Sequence, residues 1–242
     1  MTSERVRVAL IGMGRMGQAI DALAAARDLE IVARLDADDA GRGLDASTLN
    51  GAQVAIEFSV PESAVGNAIA CLRAGCPVVI GTTGWSEQRP LLERAVAESN
   101  CPALWSPNFS IGVQLFLAAV EDAARRFRGV QGFDAHIVET HHVAKLDAPS
   151  GTAIAIQERA QDGLQRAVGV TSVRVGSVPG THEVVFDGAF EQVRLVHEAR
   201  DRRVFADGAI AAARWLSRRP AAALYTMRDV LDTNPGAASD EQ

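Results

Sequence analysis

Val6-Arg7-Val8-Ala9-Leu10-Ile11-Gly12-Met13-Gly14-Arg15-Met16-Gly17 decides the fold of this chain. Val6 to Ile11 reads as a buried strand, and beyond the glycines Met16, Ile20, Leu23 and Ala24 share one helical face. A strand that turns through G-x-G-x-x-G into a helix, with a second strand from Glu30 to Leu35 ending at Asp36, has the pattern of a dinucleotide-binding βαβ unit. Gly12, Gly14 and Gly17 permit a tight turn and let the main chain approach a pyrophosphate, which the N–H groups and dipole of the helix start stabilise. Asp36 stands where a carboxylate accepts hydrogen bonds from ribose hydroxyls. The same glycines would suit a turn that only packs closely; strand, helix and acid in one arrangement favour the nucleotide.

The rhythm continues outward. Val54 to Ser59 is a third strand, Pro61 opens a helix to about Ala74, and Gly75 ends it. Pro77 to Ile80, a helix from about Ser86 to Ser99, and Ala103 to Trp105 complete the repeat. Strand and helix alternating at this spacing require crossovers, hence a doubly wound parallel sheet of Rossmann type. After Asn108 the pattern changes. A long apolar helix (Ile111 to Phe127) precedes a strand at Asp134 to Glu139, a polar loop from His141 to Ser150, and a helix to about Gln165. Strand-like stretches follow at Val170 to Val175, Glu183 to Phe186 and Gln192 to His197, then a helix from Val204 to Leu216 and a last strand or turn within Leu224 to Leu231. The expected architecture is α/β: residues 1–108, completed by 204–242, form the dinucleotide-binding domain, and 109–203 form a smaller α+β domain with a mixed sheet. The tail from Asn234 reads as frayed.

Composition narrows the function. With 24 basic and 30 acidic side chains, net charge −6 and no basic run, the chain lacks a nucleic-acid footprint. No apolar run approaches the roughly 20 residues that span a bilayer, and no secretory leader is legible, so the expectation is a cytoplasmic protein away from membranes. Cys71, Cys76 and Cys101 are an odd set without zinc spacing and read as buried thiols. Of the 24 cations, 23 are arginine; the lone lysine is Lys145.

That lysine lies in the densest polar cluster, Glu139-Thr140-His141-His142-Val143-Ala144-Lys145-Leu146-Asp147-Ala148-Pro149-Ser150-Gly151-Thr152. Ser150, Gly151 and Thr152 open a helix whose N-terminus suits a carboxylate, while His141 or Lys145 can deliver a proton. Together they suit reduction of an anionic substrate with a C=C or C=N bond. Neighbouring histidines diverge, and zinc would need a third ligand such as His182 or His197; no metal is expected. In the first domain, Gly81, Thr82 and Thr83 follow the fourth strand, where ligands of parallel sheets collect. Asn108 and Phe109 follow the fifth, where Asn108 or Ser110 would alternatively serve as a helix cap. Asp36 is followed by Ala37, Asp38 and Asp39, whose carboxylates repel a 2′-phosphate, so NADH is expected over NADPH unless Arg15, Arg34 or Arg42 folds over the site.

E-T-H-H-V-A-K-L-D-A-P-S-G-T-A resembles the signature of the 4-hydroxy-tetrahydrodipicolinate reductase (dihydrodipicolinate reductase) family, and the likeness extends to G-M-G-R-M-G, E-F-S-V-P-E, G-T-T-G, S-P-N-F-S-I-G-V and G-T-H-E-V-V-F. The resemblance implies a homotetrameric two-domain reductase of lysine and diaminopimelate biosynthesis, in which NADH or NADPH reduces a cyclic imine dicarboxylate. Carried over, His141 matches the proposed general acid and Lys145 the proton-donating or substrate-orienting lysine. His142, Gly151, Thr152 and Arg202 match carboxylate-binding groups; Gly12, Met16, Gly17, Asp36, Gly81, Thr83, Asn108 and Phe109 match cofactor contacts. Val143 and Ala144 stand where some relatives carry basic residues, Gln114 replaces a common asparagine, and Glu57 a common aspartate. Two other readings are another two-domain NAD(P) oxidoreductase with a different acid substrate, and a nicotinamide-binding redox sensor without chemistry.

Overall fold

The computed structural model describes residues 5–36 and 43–232. Ala37, Asp38, Asp39 and Arg42, weighed above for cofactor choice, and the tail from Asn234 lie outside them. The chain divides into two compact units, Met1–Ile111 joined by Arg203–Gln242, and Gly112–Arg202.

In the first unit, strands β1 (Val6–Ile11), β2 (Leu29–Leu35), β3 (Val54–Glu57), β4 (Val78–Ile80), β5 (Ala103–Trp105) and β10 (Leu224–Tyr225) form one parallel sheet in the order β10-β5-β4-β3-β1-β2. Alternate residues serve its two faces. Val8, Leu10, Ile56, Val79 and Leu104 pack with Ile20 of α1 (Arg15–Ala24) and Ala209, Ile210 and Ala213 of α6 (Arg203–Leu216). Ala9, Ile11, Ala55, Val78 and Ile80 meet Val65, Ala68 and Leu72 of α2 (Pro61–Arg73) and Leu92 and Val96 of α3 (Arg89–Ser99). Burial on both faces explains the nearly continuous apolar runs. Pro61 is the first residue of α2, as its fixed φ and missing N–H favour. Cys71, Cys76 and Cys101 are buried free thiols, and burial pushes each thiol pKa up. The helix expected from Ser86 begins instead as a separate 3₁₀ turn, Ser86–Gln88, ahead of α3. The expected last element is a two-residue strand, β10, followed by helix α7 (Met227–Asp232).

The second unit packs helices α4 (Ile111–Phe127) and α5 (Gly151–Leu164) on a sheet ordered β7-β6-β8-β9. Its strands are β6 (Phe133–His141), β7 (Gly169–Arg174), β8 (Thr181–Gly188) and β9 (Gln192–Glu198); β7 joins β6 in parallel, and the other pairings are antiparallel. Ile137, Val184 and Phe186 face Val120, Ala124, Ile156 and Ala160. A Cβ on Gly163 would lie 2.5 Å from that of Ala124, so glycine lets α5 approach α4. Strand β6 runs two residues beyond its expected end because pairing with β7 continues to His141–Arg174.

Candidate functional site

The first candidate site lies at the carboxyl ends of β1 and β3. The chain leaves β1 for β2 on one side, whereas β3 pairs on the other, and ligands of open parallel sheets bind at such a reversal. Gly12 has φ +89°, and a Cβ there would fall 2.2 Å from the Phe58 carbonyl oxygen. A Cβ on Gly17 would fall 2.1 Å from the Gly12 carbonyl oxygen, whereas the Gly14 position has nothing within 4 Å and opens to a ligand. A cleft of about 570 Å³ continues past Gly12 and Gly14 to Arg34 and Asp36. These features fit a dinucleotide: a tight turn, an uncovered helix start and an acid at the end of β2. Arg15 is exposed and Met16 half-buried at the start of α1. Arg34 forms a two-pronged ion pair with Asp21, Nε to Oδ2 at 2.9 Å and Nη2 to Oδ1 at 2.6 Å. That guanidinium holds the Asp21 carboxyl below the usual carboxylate range.

Gly81, Thr82 and Thr83 follow β4. The Phe58 ring occupies the place a Cβ on Gly81 would take; Thr82 is buried, its carbonyl accepting from Trp85 Nε1 at 2.6 Å, and Thr83 is exposed. Asn108 Oδ1 accepts from Ser110 N at 2.9 Å, so its amide shapes the turn before α4. Phe109 lies in the core, its ring 5.8 Å from that of Phe58. Thr48, Asn50, Ser63 and Asn67 also line the cleft, and sequence reasoning missed them; none belongs to a spaced motif.

The second site is a polar row across the sheet of the other unit. Ser172, Glu139, His182 and His197 stand opposite one another on β7, β6, β8 and β9, and His141 pairs with Arg174 one step further along the same face. In β6 the buried positions run Ala135, Ile137, Glu139, His141, so the polar row continues the apolar ones. Glu139 is wholly buried. Burial pushes its carboxyl up, but donors from Ser150, Ser172 and Arg174 outweigh this and hold it at about 2. His141 is buried, its Nδ1 3.2 Å from Glu139 Oε2, within ion-pair reach but not aligned for a hydrogen bond. Desolvation lowers its pKa; Glu139 opposes this, while Lys145 and Arg174 reinforce it. The His182 ring sits edge-on to that of His141 at 5.1 Å, and burial with its charged neighbours brings its pKa down to about 4.

Beyond His141, the half-buried His142 leads into the loop, Lys145 Nζ pairs with Asp147 Oδ1 at 2.8 Å, and α5 begins. Ser150 caps that helix, its Oγ accepting from Ala153 N at 3.1 Å. Gly151 is exposed and Thr152 half-buried in the first turn. Arg202 is exposed before α6, and among the described residues nothing ties its guanidinium to the loop. The structure thus gathers His141, Lys145 and the start of α5, and adds Glu139, Arg174, His182 and His197. Ligand atoms of Glu139, His141 and His182 lie within 4.8 Å of one another, a spacing open to a metal ion. The carboxylate, however, already faces the Arg174 guanidinium and accepts several hydrogen bonds, so little of its charge is left for an ion.

Comparison with known proteins agrees over both units. The family model "Dihydrodipicolinate reductase, N-terminus" matches residues 6–109, and "Dihydrodipicolinate reductase, C-terminus" matches residues 112–231. A 4-hydroxy-tetrahydrodipicolinate reductase of Xanthomonas campestris is 39% identical, over 96% of this chain and 100% of the relative. One from Christiangramia forsetii is 33% identical, over 93% and 98%. Among solved structures, dipicolinate-bound dihydrodipicolinate reductase from Paenisporosarcina sp. TG-14 superposes with a TM-score of 0.76 at 24% identity, over 92% of this chain and 97% of that one. GenD2 of gentamicin A biosynthesis, solved in complex with NAD, shares the fold at a TM-score of 0.58 and 14% identity, over 100% and 96%. With both halves matched and relatives above 30% identity along nearly its whole length, this chain belongs to the dihydrodipicolinate reductase family.

Proposed function

We infer that the chain reduces 4-hydroxy-tetrahydrodipicolinate, by way of dihydrodipicolinate, to tetrahydrodipicolinate, a step of diaminopimelate and lysine biosynthesis. The observation that carries this reading is one loop, 142–150, joining a buried histidine at the end of β6 to the capped start of α5, with the only lysine between them. When bound, the reduced nicotinamide supplies a hydride to the ring.

In the cofactor unit, Gly12, Gly14, Arg15, Met16 and Gly17 hold the pyrophosphate, Asp36 the ribose, and Gly81, Thr82, Thr83, Asn108 and Phe109 shape the nicotinamide end. NADH is preferred to NADPH: Asp36 repels a 2′-phosphate, and Arg34, the cation that lines the same cleft, forms an ion pair with Asp21. In the other unit, Ser150, Gly151 and Thr152 at the start of α5 take one substrate carboxylate. His142, Lys145 and Arg202 take the other. His141 or Lys145 gives the proton that balances the hydride. Orientation contributes more of the rate than acid catalysis, whose share is about 10²- to 10⁴-fold. The enzyme works as a cytoplasmic homotetramer without nucleic-acid or membrane partners. Val173 and Val196, exposed on the outer face of the β7-β6-β8-β9 sheet, are apolar surface of the kind a subunit contact covers. No helix among the described residues is long and apolar enough to cross a membrane.

The test is oxidation of NADH, followed by its absorbance, with freshly generated 4-hydroxy-tetrahydrodipicolinate. Turnover is expected. NADH binding without turnover on this or any cyclic imine would point to the sensor.

A further inference from the structure

Arg174 has no part in the reaction described above, yet its surroundings are built. It ends β7, and only 19% of its side chain is exposed. Each nitrogen of its guanidinium donates inward. Nη2 donates to Glu139 Oε1 at 2.9 Å and to the Asp147 carbonyl, Nε to the Lys145 carbonyl at 3.3 Å, and Nη1 to the Val173 carbonyl at 2.8 Å. The same Oε1 accepts from Ser172 Oγ at 2.7 Å, and the Ser150 N–H donates to Oε1 and Oε2 at 3.1 and 3.2 Å. One buried pair of opposite charges therefore grips the 142–150 loop at both ends of its working part: the carbonyls of Lys145 and Asp147, and the amide just ahead of α5.

We propose that Glu139 and Arg174 are positioning residues, a buried latch that fixes this loop so that Lys145 and the first N–H groups of α5 meet the substrate's carboxylates already in place. The proposal rests on the reductase reading. A guanidinium meant to grip a substrate carboxylate would keep part of its fork free, whereas this one is committed to four protein oxygens. A loop held in its bound shape gives up less conformational freedom on binding, so loss of the latch falls on substrate affinity first.

R174K in the full-length protein tests the latch, because a compact ammonium keeps the charge but cannot span the same acceptors. Expected is a fall of about 10- to 100-fold in kcat/KM for the dicarboxylate, carried mainly by KM. The Kd for NADH, bound by the other unit, stays within about twofold. E139Q falls in the same direction, and E139Q/R174K is no worse than the poorer single variant because both break one device. E139Q/R174M, which removes both buried charges and so avoids leaving either unpaired, is expected to fold and to show the same rise in KM. A wild-type KM in R174K, or losses that multiply in the double variant, overturns the latch. Hydrogen exchange supplies a readout independent of turnover: amide protection across residues 142–150 falls in R174K, and unchanged protection overturns the latch even if the unaltered chain reduces nothing. Failure of the unaltered chain to turn over the dicarboxylate overturns the reductase reading instead.

Discussion

The two units build their sites from opposite materials. In the cofactor unit the sheet core is apolar apart from the buried Glu57 at the end of β3, and glycines clear the strand-end turn beside a cleft that Thr48, Asn50, Ser63 and Asn67 also line. In the other unit a row of ionisable side chains lies on the buried face of the sheet itself, sharing that face with Ile137, Val184 and Phe186. A turn with no room for a Cβ at Gly12 or Gly17 fails when one enters. A site of buried charges tolerates added volume poorly and loss of a partner worse, since the remaining charge stays desolvated.

This contrast can be broken by experiment. The largest effect is expected for Lys145→Arg, which retains the charge but replaces a compact ammonium with a planar fork: kcat/KM falls by about 10²-fold or more while the Kd for NADH is unchanged. Near-normal kcat/KM would remove Lys145 from the chemistry. Gly17→Ala is the mirror experiment. Its Cβ would lie 2.1 Å from the Gly12 carbonyl oxygen, so the turn must open. Overpacking of about 1–3 kcal/mol predicts a rise of about 10- to 100-fold in the Kd for NADH, with dicarboxylate binding intact. If dicarboxylate binding weakens equally in calorimetry, the two sites are not separable.

A smaller effect, about tenfold in kcat/KM, should favour NADH over NADPH. A clear NADPH preference would mean that a cation other than Arg34 serves the 2′ position. The smallest effect is on stability. His182 faces His141 and Glu139 of β6, His197 of β9 and Lys145 of the loop, and its pKa falls from 6.5 to about 4 on folding. The unfolded chain therefore binds a proton that the native one refuses, and stability is lost as pH falls from 6.5 towards 4. Glu139, lowered to about 2, adds a separate loss as pH falls from 4.5 towards 2. Melting curves of H182N should show a shallower decline of Tm in the upper window, by a few degrees at about pH 5, with the lower window retained. An unchanged upper slope would assign that decline to His141 and His197.

Most of the fold was legible because local signals agreed with the global arrangement. β1 and β5 begin and end where their apolar runs do, α4 fills its expected span, and Pro61 marks the start of α2. The His141–Lys145–Thr152 cluster was legible because its parts are close in sequence. The rest of that site was not. Glu139 reads as a charged strand end until the alternation Ala135, Ile137, Glu139, His141 places it inward. Arg174 is one arginine among 23 until it pairs with His141 across two strands. His182 and His197, noted as possible zinc partners, meet Glu139 only through the β6-β8-β9 register, which depends on strand pairing that no local motif encodes.

The buried pair also bears on how the second unit assembles. β7 is an edge strand of alternating exposed and half-buried residues, so apolar burial alone gives it a weak preference for one alignment with β6. A slip of one residue would turn Ser172 and Arg174 outward and leave Glu139 desolvated without its cation, at about 3–5 kcal/mol. The proposed latch would therefore also favour the native register of β7 over alignments that apolar burial alone would accept.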